Sequence, residues 1–297
     1  MQMFRRREPT EACWGSKGMR SRLILIIAAV LLSGVAADHS GASSAAEVIS
    51  IDGAAGVWRV GRSVGTWTRV QRVLGSGSSS WSKTVPGQWS LPEVAARHIV
   101  GGASADGSSL ALVQQVVAGA DSARFAVVRR NTTKTVVLGG VWNFDALSVD
   151  GRTLFLTESI GNNKYWVRAV DVATGRVGAP IVTKSITPTS VEVDEEPMEG
   201  LPMDRVVTAD GVTVFTLYDG PAFPFVHALN VASGGALCYE LIGVRNVPVS
   251  RLRLRLESAT GSVINVRDGS QTVAQIWTPS SLYGPSVRIA GTVNAPR

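Results

Sequence analysis

Cysteine is almost missing from this chain: its 297 residues hold two. Cys13 precedes the long apolar run at residues 23–37 and Cys238 stands alone after it, so no intramolecular disulfide staples the folded part. Histidine is nearly as scarce, with His39, His98 and His227 the whole supply. Zinc hydrolysis and Ser-His-Asp chemistry both lean on histidine, and the shortage argues against each. Cationic runs are missing from the domain as well. The formal charge is +6, but residues 1–37 carry Arg5, Arg6, Arg7, Lys17, Arg20 and Arg22 against Glu8 and Glu11, which leaves 23 basic and 21 acidic residues beyond them. A nearly balanced domain with no basic aromatic stripe offers no footprint for phosphate backbones, which excludes nucleic acid as a partner. Helical periodicity is nearly absent too.

What is present is a globular composition, 45% hydrophobic with 31 glycines and 13 prolines, in a chain long enough to bury a large core. Leu23 to Ala37 reads LILIIAAVLLSGVAA behind a cluster of arginines. That is the pattern of a secretory signal peptide: the run falls short of the roughly 20 apolar residues of a spanning helix and closes on small residues before Asp38. Cleavage there yields a secreted protein; an uncleaved signal anchor is the alternative, and the sole route to the membrane. Met19 to Ala37 is a complete compact signal by itself, so Met19 is a second candidate start. The expected layout is residues 1–37 for targeting, 38–47 as a tether and 48–297 as one domain.

Beyond the tether, short runs rich in Val, Leu, Ile, Thr and aromatics alternate with Gly, Asp, Asn and Pro turns, the signature of strands. Leu147-Ser148-Val149-Asp150-Gly151-Arg152-Thr153-Leu154-Phe155-Leu156 aligns with the segments around Asp106-Gly107 and Asp210-Gly211. Each reads as strand, Asp-Gly turn, strand, with positive φ supplied by Gly and tolerated by Asp. A third strand and second turn follow in Val167 to Gly175 and in Val226 to Gly234, and Leu254 to Val266 is a decayed copy. Asp106 and Asp150 lie 44 positions apart, and Asp150 and Asp210 lie 60 apart, with an extra loop at Lys184 to Leu201. Four short strands per repeat are the unit of a β-propeller blade, which must stack on neighbours in a ring. The fold class is therefore all-β, a β-propeller of four-stranded blades. Four blades are clear at residues 98–139, 141–184, 198–242 and 247–291, and 48–94 has room for another. Length allows five or six, or seven with a shared or truncated blade; a two-sheet sandwich is the competing architecture.

The elements L-S-V-D-G-R-T-L-F-L, Y-W-V-R-A-V-D-V-A-T-G, R-V-V-T-A-D-G-V-T-V-F-T-L-Y and P-F-V-H-A-L-N resemble secreted actinobacterial propeller proteins of the WD-like or YVTN-like type. The resemblance runs from about Trp89 to Thr278 and implies the architecture. It does not choose among the enzymes, sensors and scaffolds that share this fold.

Several residues are candidate sites. Gly61-Arg62-Ser63-Val64-Gly65 satisfies G-x-S-x-G, but Thr66-Trp67-Thr68 starts no helix, so a hairpin turn is expected in place of a nucleophile elbow. Ser80-Trp81-Ser82-Lys83 matches S-x-x-K inside what reads as a serine-rich loop. His227 lies mid-strand, facing either the core or a ligand in the channel. Glu192, Asp194, Glu195, Glu196 and Glu199 gather five carboxylates on the long insertion, either as a solvated excursion or as a Ca²⁺ site. Arg251, Arg253 and Arg255 alternate with leucines, so one strand face carries three guanidinium groups suited to an anionic ligand, or simply to solvent. Trp58, Trp67, Trp81, Trp89, Trp142 and Trp166 serve packing between blades or sugar stacking. Cys238 reads as a small buried hydrophobe.

Two functions are open on these residues. The first is a secreted, non-catalytic propeller without a cofactor, binding a protein or cell-envelope ligand on a loop face. The second is an extracellular hydrolase or lactonase-like propeller with carboxylates or Ca²⁺ on the channel axis. The first expects a channel filled by apolar or small side chains, and the second expects ionisable groups from at least three blades to converge there.

Overall fold

The computed structural model describes residues 48–53, 56–62, 66–74, 76–94, 98–99, 102–114, 121–181, 183–186, 191–194, 197–244, 246–257, 262–278 and 285–290. The segments expected to be a targeting signal (1–37, with Cys13) and a tether (38–47) lie outside them. No helix among the described residues is long and apolar enough to cross a membrane. The fold is an all-β propeller, built here of five blades with antiparallel cores. Blade one holds β1 (Val48–Gly53), β2 (Gly56–Arg62), β3 (Trp67–Val73) and β4 (Ser79–Pro86). Blade two holds β5 (Trp89–Ser90), then, after a small hairpin of β6 (Glu93–Val94) and β7 (His98–Ile99), β8 (Ser109–Gln114), β9 (Ser122–Arg129) and β10 (Thr133–Gly139). Blade three is β11 (Trp142–Leu147), β12 (Thr153–Gly161), β13 (Lys164–Asp171) and β14 (Val177–Pro180).

The long insertion departs from expectation. It is not a loop throughout: β15 (Thr183–Ile186) pairs in parallel with the outer strand of blade four, and β16 (Val191–Asp194) pairs with β15. Val-Glu-Val-Asp alternates, which suits the edge strand β16, while β15 lies between β16 and β21. The short β17 (Met198–Glu199) then joins β13. Blade four proper is β18 (Leu201–Val207), β19 (Thr213–Asp219), β20 (Phe225–Asn230) and β21 (Ala236–Glu240). Blade five is β22 (Leu252–Leu256), β23 (Val263–Asp268), β24 (Gln271–Trp277) and β25 (Ser286–Ile289). The serine-rich Ser79–Lys83 is also strand, as β4.

Strand composition follows from what each blade must cover. In blades three and four, successive residues of one strand are buried toward different neighbours. Leu154 and Leu156 of β12 join the cluster with blade two, while Phe155 joins the cluster with blade four. Phe215 and Leu217 of β19 face blade five, and Val214 and Tyr218 face blade three. Strands buried on both faces read as continuous apolar runs. The outermost blades differ, because β3 and β22 alternate buried and exposed positions. Four apolar clusters join blades one to two, two to three, three to four and four to five. Among the described residues no such cluster joins blade five to blade one, so the ring expected from the repeat is held by four apolar interfaces.

The repeated turns are also built differently from expectation. Gly107, Gly151 and Gly211 have φ of 63°, 67° and 67°, but no Asp in these turns has positive φ. The aspartate works as an acceptor. Ser148 Oγ donates to Asp150 Oδ1 at 2.8 Å, the Arg152 N–H donates to the same oxygen at 3.0 Å, and Ser148 Oγ receives the Thr153 N–H at 2.9 Å. Ser104-Asp106-Ser109 and Thr208-Asp210-Thr213 repeat the arrangement. The Arg152 N–H and the Ser148 hydroxyl hold the Asp150 carboxyl below its ordinary range. A turn with two positive-φ residues does occur, at Asn162 (54°) and Asn163 (59°) between β12 and β13.

These turns also meet one another. A Cβ on Gly151 would overlap the Ser109 hydroxyl of blade two, and a Cβ on Gly211 would overlap Ala105, bringing the turns of blades four and two together. The variant Gly211→Ala combines a strained backbone with a collision and should lose about 2 to 4 kcal/mol in urea unfolding. Gly234 has a similar φ of 73° but open space around it, so Gly234→Ala should lose only about 1 to 2 kcal/mol. Equal losses would show that the contact between turns carries no weight.

Candidate functional site

Consecutive residues of β18 leave the strand on opposite faces. Arg205 and Asp204, both buried, use this to grip both neighbouring blades. Arg205 Nη2 donates to Asp145 Oδ1 of β11 at 2.6 Å, and its Nε donates to Thr216 Oγ1 of β19 at 2.9 Å. On the other side, Asp204 Oδ2 accepts the Leu254 N–H of β22 at 2.7 Å. A register shift between Pro202 and Asp204 accompanies this double engagement.

His227 lies directly opposite Thr216 in the β19–β20 register, fully buried, its ring edge-on to Tyr218 with centroids 6.5 Å apart. Neither ring nitrogen has a hydrogen-bond partner among the described residues. Burial pushes its pKa below the ordinary 6.5, against the attraction of the Asp145 charge and with the repulsion of Arg205, so the ring is neutral. Tyr165, Tyr218 and Phe225 stack beside it at centroid distances of 5.4 and 5.1 Å. Burial raises both phenol pKa values well above their ordinary range. A closed ion pair, a neutral imidazole and two un-ionised phenols hold blades three and four together, away from solvent.

The neighbouring side of β18 is occupied as well. Leu91, Pro92 and Val94 of the blade-two excursion are buried, and β6 packs against β18. The ionisable groups assembled at the blade interface come from blade three (Asp145) and blade four (Arg205, His227).

The other candidates are scattered. Arg251 lies in a 3-10 turn just before β22 and makes a two-point ion pair with Asp268, at 2.9 and 2.8 Å. Arg253 donates through Nη1 to the carbonyls of Ser250 and Leu252, and Arg255 is exposed. Leu252 and Leu254 are buried toward blade four, as the alternation required. Glu192 and Asp194 lie in β16 and Glu199 in β17, on a different sheet; Glu195 and Glu196 fall outside the described residues. Among the described residues no three His, Cys, Asp or Glu side chains cluster as metal ligands. Flanking the G-x-S-x-G match, β2 and β3 pair antiparallel, while Ser63 to Gly65 lie outside the described residues. Cys238 is buried.

The tryptophans divide. Trp58, Trp89 and Trp142 are buried between blades, Trp81 and Trp166 are half-buried, and Trp67 is 47% exposed. Trp89 and Trp142 share a role that the sequence repeat had not revealed: each indole N–H donates three residues back, to Pro86 and Gly139 at 2.6 and 2.7 Å. Asp145, Asp204 and Arg205 were also missed. Their signal was present, as charged residues embedded in the apolar runs Trp142–Leu147 and Leu201–Val207.

Two recesses mark the surface between blades. One of about 140 Å³ lies between blades three and four, lined by Asn143, Thr157, Lys164, Tyr165, Leu201 and Tyr218 among others. Another of about 310 Å³ between blades two and three is bordered by Arg129, Lys134, Arg152 and Asp171. Arg129 is fixed there by bonds to Ser109 Oγ and the Asp150 carbonyl.

No family model matches the chain, and no curated protein matches it. Among solved structures, TolB from Acinetobacter baumannii is similar at 13% identity and a TM-score of 0.41, over 78% of this chain and 53% of that one. This chain thus spans about half the length of TolB. The propeller domain of the Trilobed protease from Pyrococcus furiosus is similar at 9% identity and a TM-score of 0.39, over 82% and 84% of the two chains. A chain from a structural analysis of two prolyl endopeptidases is similar at 12% identity and a TM-score of 0.44, over 81% of this chain and 36% of that one. The blade architecture rests on the sheet order given above.

Two measurements test the buried network. Arg205→Met or Asp145→Leu alone should cost about 3 to 5 kcal/mol, because each strands a buried charge, whereas the double variant should recover most of the loss. Additive losses in urea unfolding would contradict a paired role. His227, held neutral in the folded state, protonates in the unfolded chain below about pH 6.5, so stability should fall as pH drops below that value, by up to about 1.4 kcal/mol per pH unit. In His227→Phe this slope should vanish between pH 6.5 and 5; an unchanged slope would assign it to another group.

Proposed function

We propose that the protein is a secreted, non-catalytic β-propeller that serves as a binding module for a protein or cell-envelope ligand. One observation carries this reading: Asp145, Asp204 and Arg205 are engaged in bonds between blades, and β6, with Leu91, Pro92 and Val94 buried around it, packs against β18. Groups held in this way cannot meet a substrate without opening a blade interface. Recognition then falls to the exterior, where turns, recesses and sheet faces are available. The competing hydrolase or lactonase-like reading, with carboxylates or Ca²⁺ on the axis, needs such groups free at the centre.

The discriminating experiment uses the full-length secreted chain with isolated envelope material and a panel of lactone, ester and peptide substrates. The chain should co-sediment with the envelope fraction, keep its melting temperature in EDTA and turn over none of the panel. Turnover above background, or a melting temperature that falls on chelation and recovers with Ca²⁺, would replace this reading with the enzyme.

A further inference from the structure

We infer that the solvent-facing side of blade five, the side turned away from blade four, is a docking surface for a partner protein with an acidic face. The inference rests on the binding-module reading and names its partner class.

All four strands of blade five contribute to this face. Leu252, Leu254, Ile264, Val266, Ala274 and Ile276 are buried against blade four. By alternation, their neighbours point the other way: Arg253 and Arg255 from β22, Arg267 from β23 and Arg288 from β25. Asn265 and Gln275, hydrogen-bonded to each other at 3.0 Å, lie between them. Arg288 sits over the Trp277 ring at 4.7 Å. In an ordinary inner blade this side would be apolar and covered by the next blade, as in blades three and four.

The charge distribution points to the occupant. Arg253 and Arg267 stand directly opposite each other in the β22–β23 register, an arrangement that costs stability in an isolated sheet. Among the described residues none of Arg253, Arg255 and Arg267 has a carboxylate within ion-pairing distance. The two acids of the blade do not relieve them, because Asp268 is taken by Arg251 and Glu257 follows the end of β22. Arg253 and Arg267 are also positioned by backbone carbonyls, those of Ser250, Leu252 and Ser270, so little side-chain freedom is lost when an anion arrives.

Composition favours a protein over a simple polyanion. The charged residues of the face are all arginine, with no lysine, a bias shared by the centres of protein interfaces, and Arg288 lies over the buried Trp277. Planar guanidinium groups match carboxylates with two parallel bonds. A second copy of this chain is a poor occupant, because the exposed side of blade one is also cationic, with Arg59, Arg69 and the exposed Trp67. Like charge on both ends of the blade row opposes closure and head-to-tail stacking alike.

The test titrates the full-length chain with poly-L-glutamate and, separately, with a sulfated polysaccharide of matched charge, at low and physiological salt. The wild type should bind poly-L-glutamate in preference to the polysaccharide. The doubly substituted variant Arg253→Glu with Arg255→Glu should bind it about tenfold or more weakly, and the single exposed change Arg255→Glu should weaken it measurably. Lys134→Glu, in the recess between blades two and three, should change affinity less than twofold. Melting temperatures within about 3 °C of wild type would show that folding is intact. Equal affinity of wild type and Arg255→Glu would overturn the assignment of this face while leaving the binding-module reading standing. Preference for the polysaccharide would overturn the protein partner. A wild-type dimer abolished by Arg255→Glu would make a second copy the occupant.

Discussion

A blade of four short strands has two faces, and neither can be left bare if both are apolar. That constraint governs the rest of this structure. It explains why Leu154–Leu156 of β12, Val214–Tyr218 of β19 and Phe225–Leu229 of β20 are buried without a break, with neighbouring residues turned toward different blades. It also explains why blades one and five depart from the pattern: each has one neighbour through an apolar cluster, and its other side is written in polar residues. Leu252 to Leu256 is thus a strand of an end blade, and its alternation is a statement about position in the row before it is one about ligands.

The polar groups on the inner strands serve the same constraint in another way. Apolar contact is non-directional, so by itself it lets stacked sheets slide. Arg205 with Asp145, and Asp204 with the Leu254 amide, fix blade four in angle and height against both neighbours. The fully buried pair is weak evidence for net stability, since its desolvation cost offsets most of the attraction. Its value lies in specifying one packing. His227, buried beside it with no hydrogen-bond partner among the described residues, is the part of this arrangement that weakens as the medium turns acidic.

Much of the fold was legible because turn chemistry repeats. The Asp-Gly turns located three hairpins and the blade spacing, and Cys238 lay in the core as its apolar neighbours implied. The reason given for the turns was incomplete: the hydroxyl two positions before each Asp is what makes the Asp useful, and glycine alone carries the positive φ. The insertion was read as a loop because its strands are short, and β21, on which β15 builds, lies more than 40 residues away. The grip of β18 was hidden for a similar reason. Asp145 and Arg205 are 60 positions apart, and nothing local marks them as partners except their charge within apolar runs.

The meeting of Gly211 with Ala105 has a geometric consequence. Blades two and four touch through their turns although blade three lies between them, so the curvature of the row is set at one end of the axis by a contact between non-neighbours. A row fixed in this way has little freedom to lengthen. Duplicating blade three in the gene would separate the two turns by an additional wedge, and the descendant would have to find another closure. A glycine at a turn tip thus bears on how the number of blades can evolve.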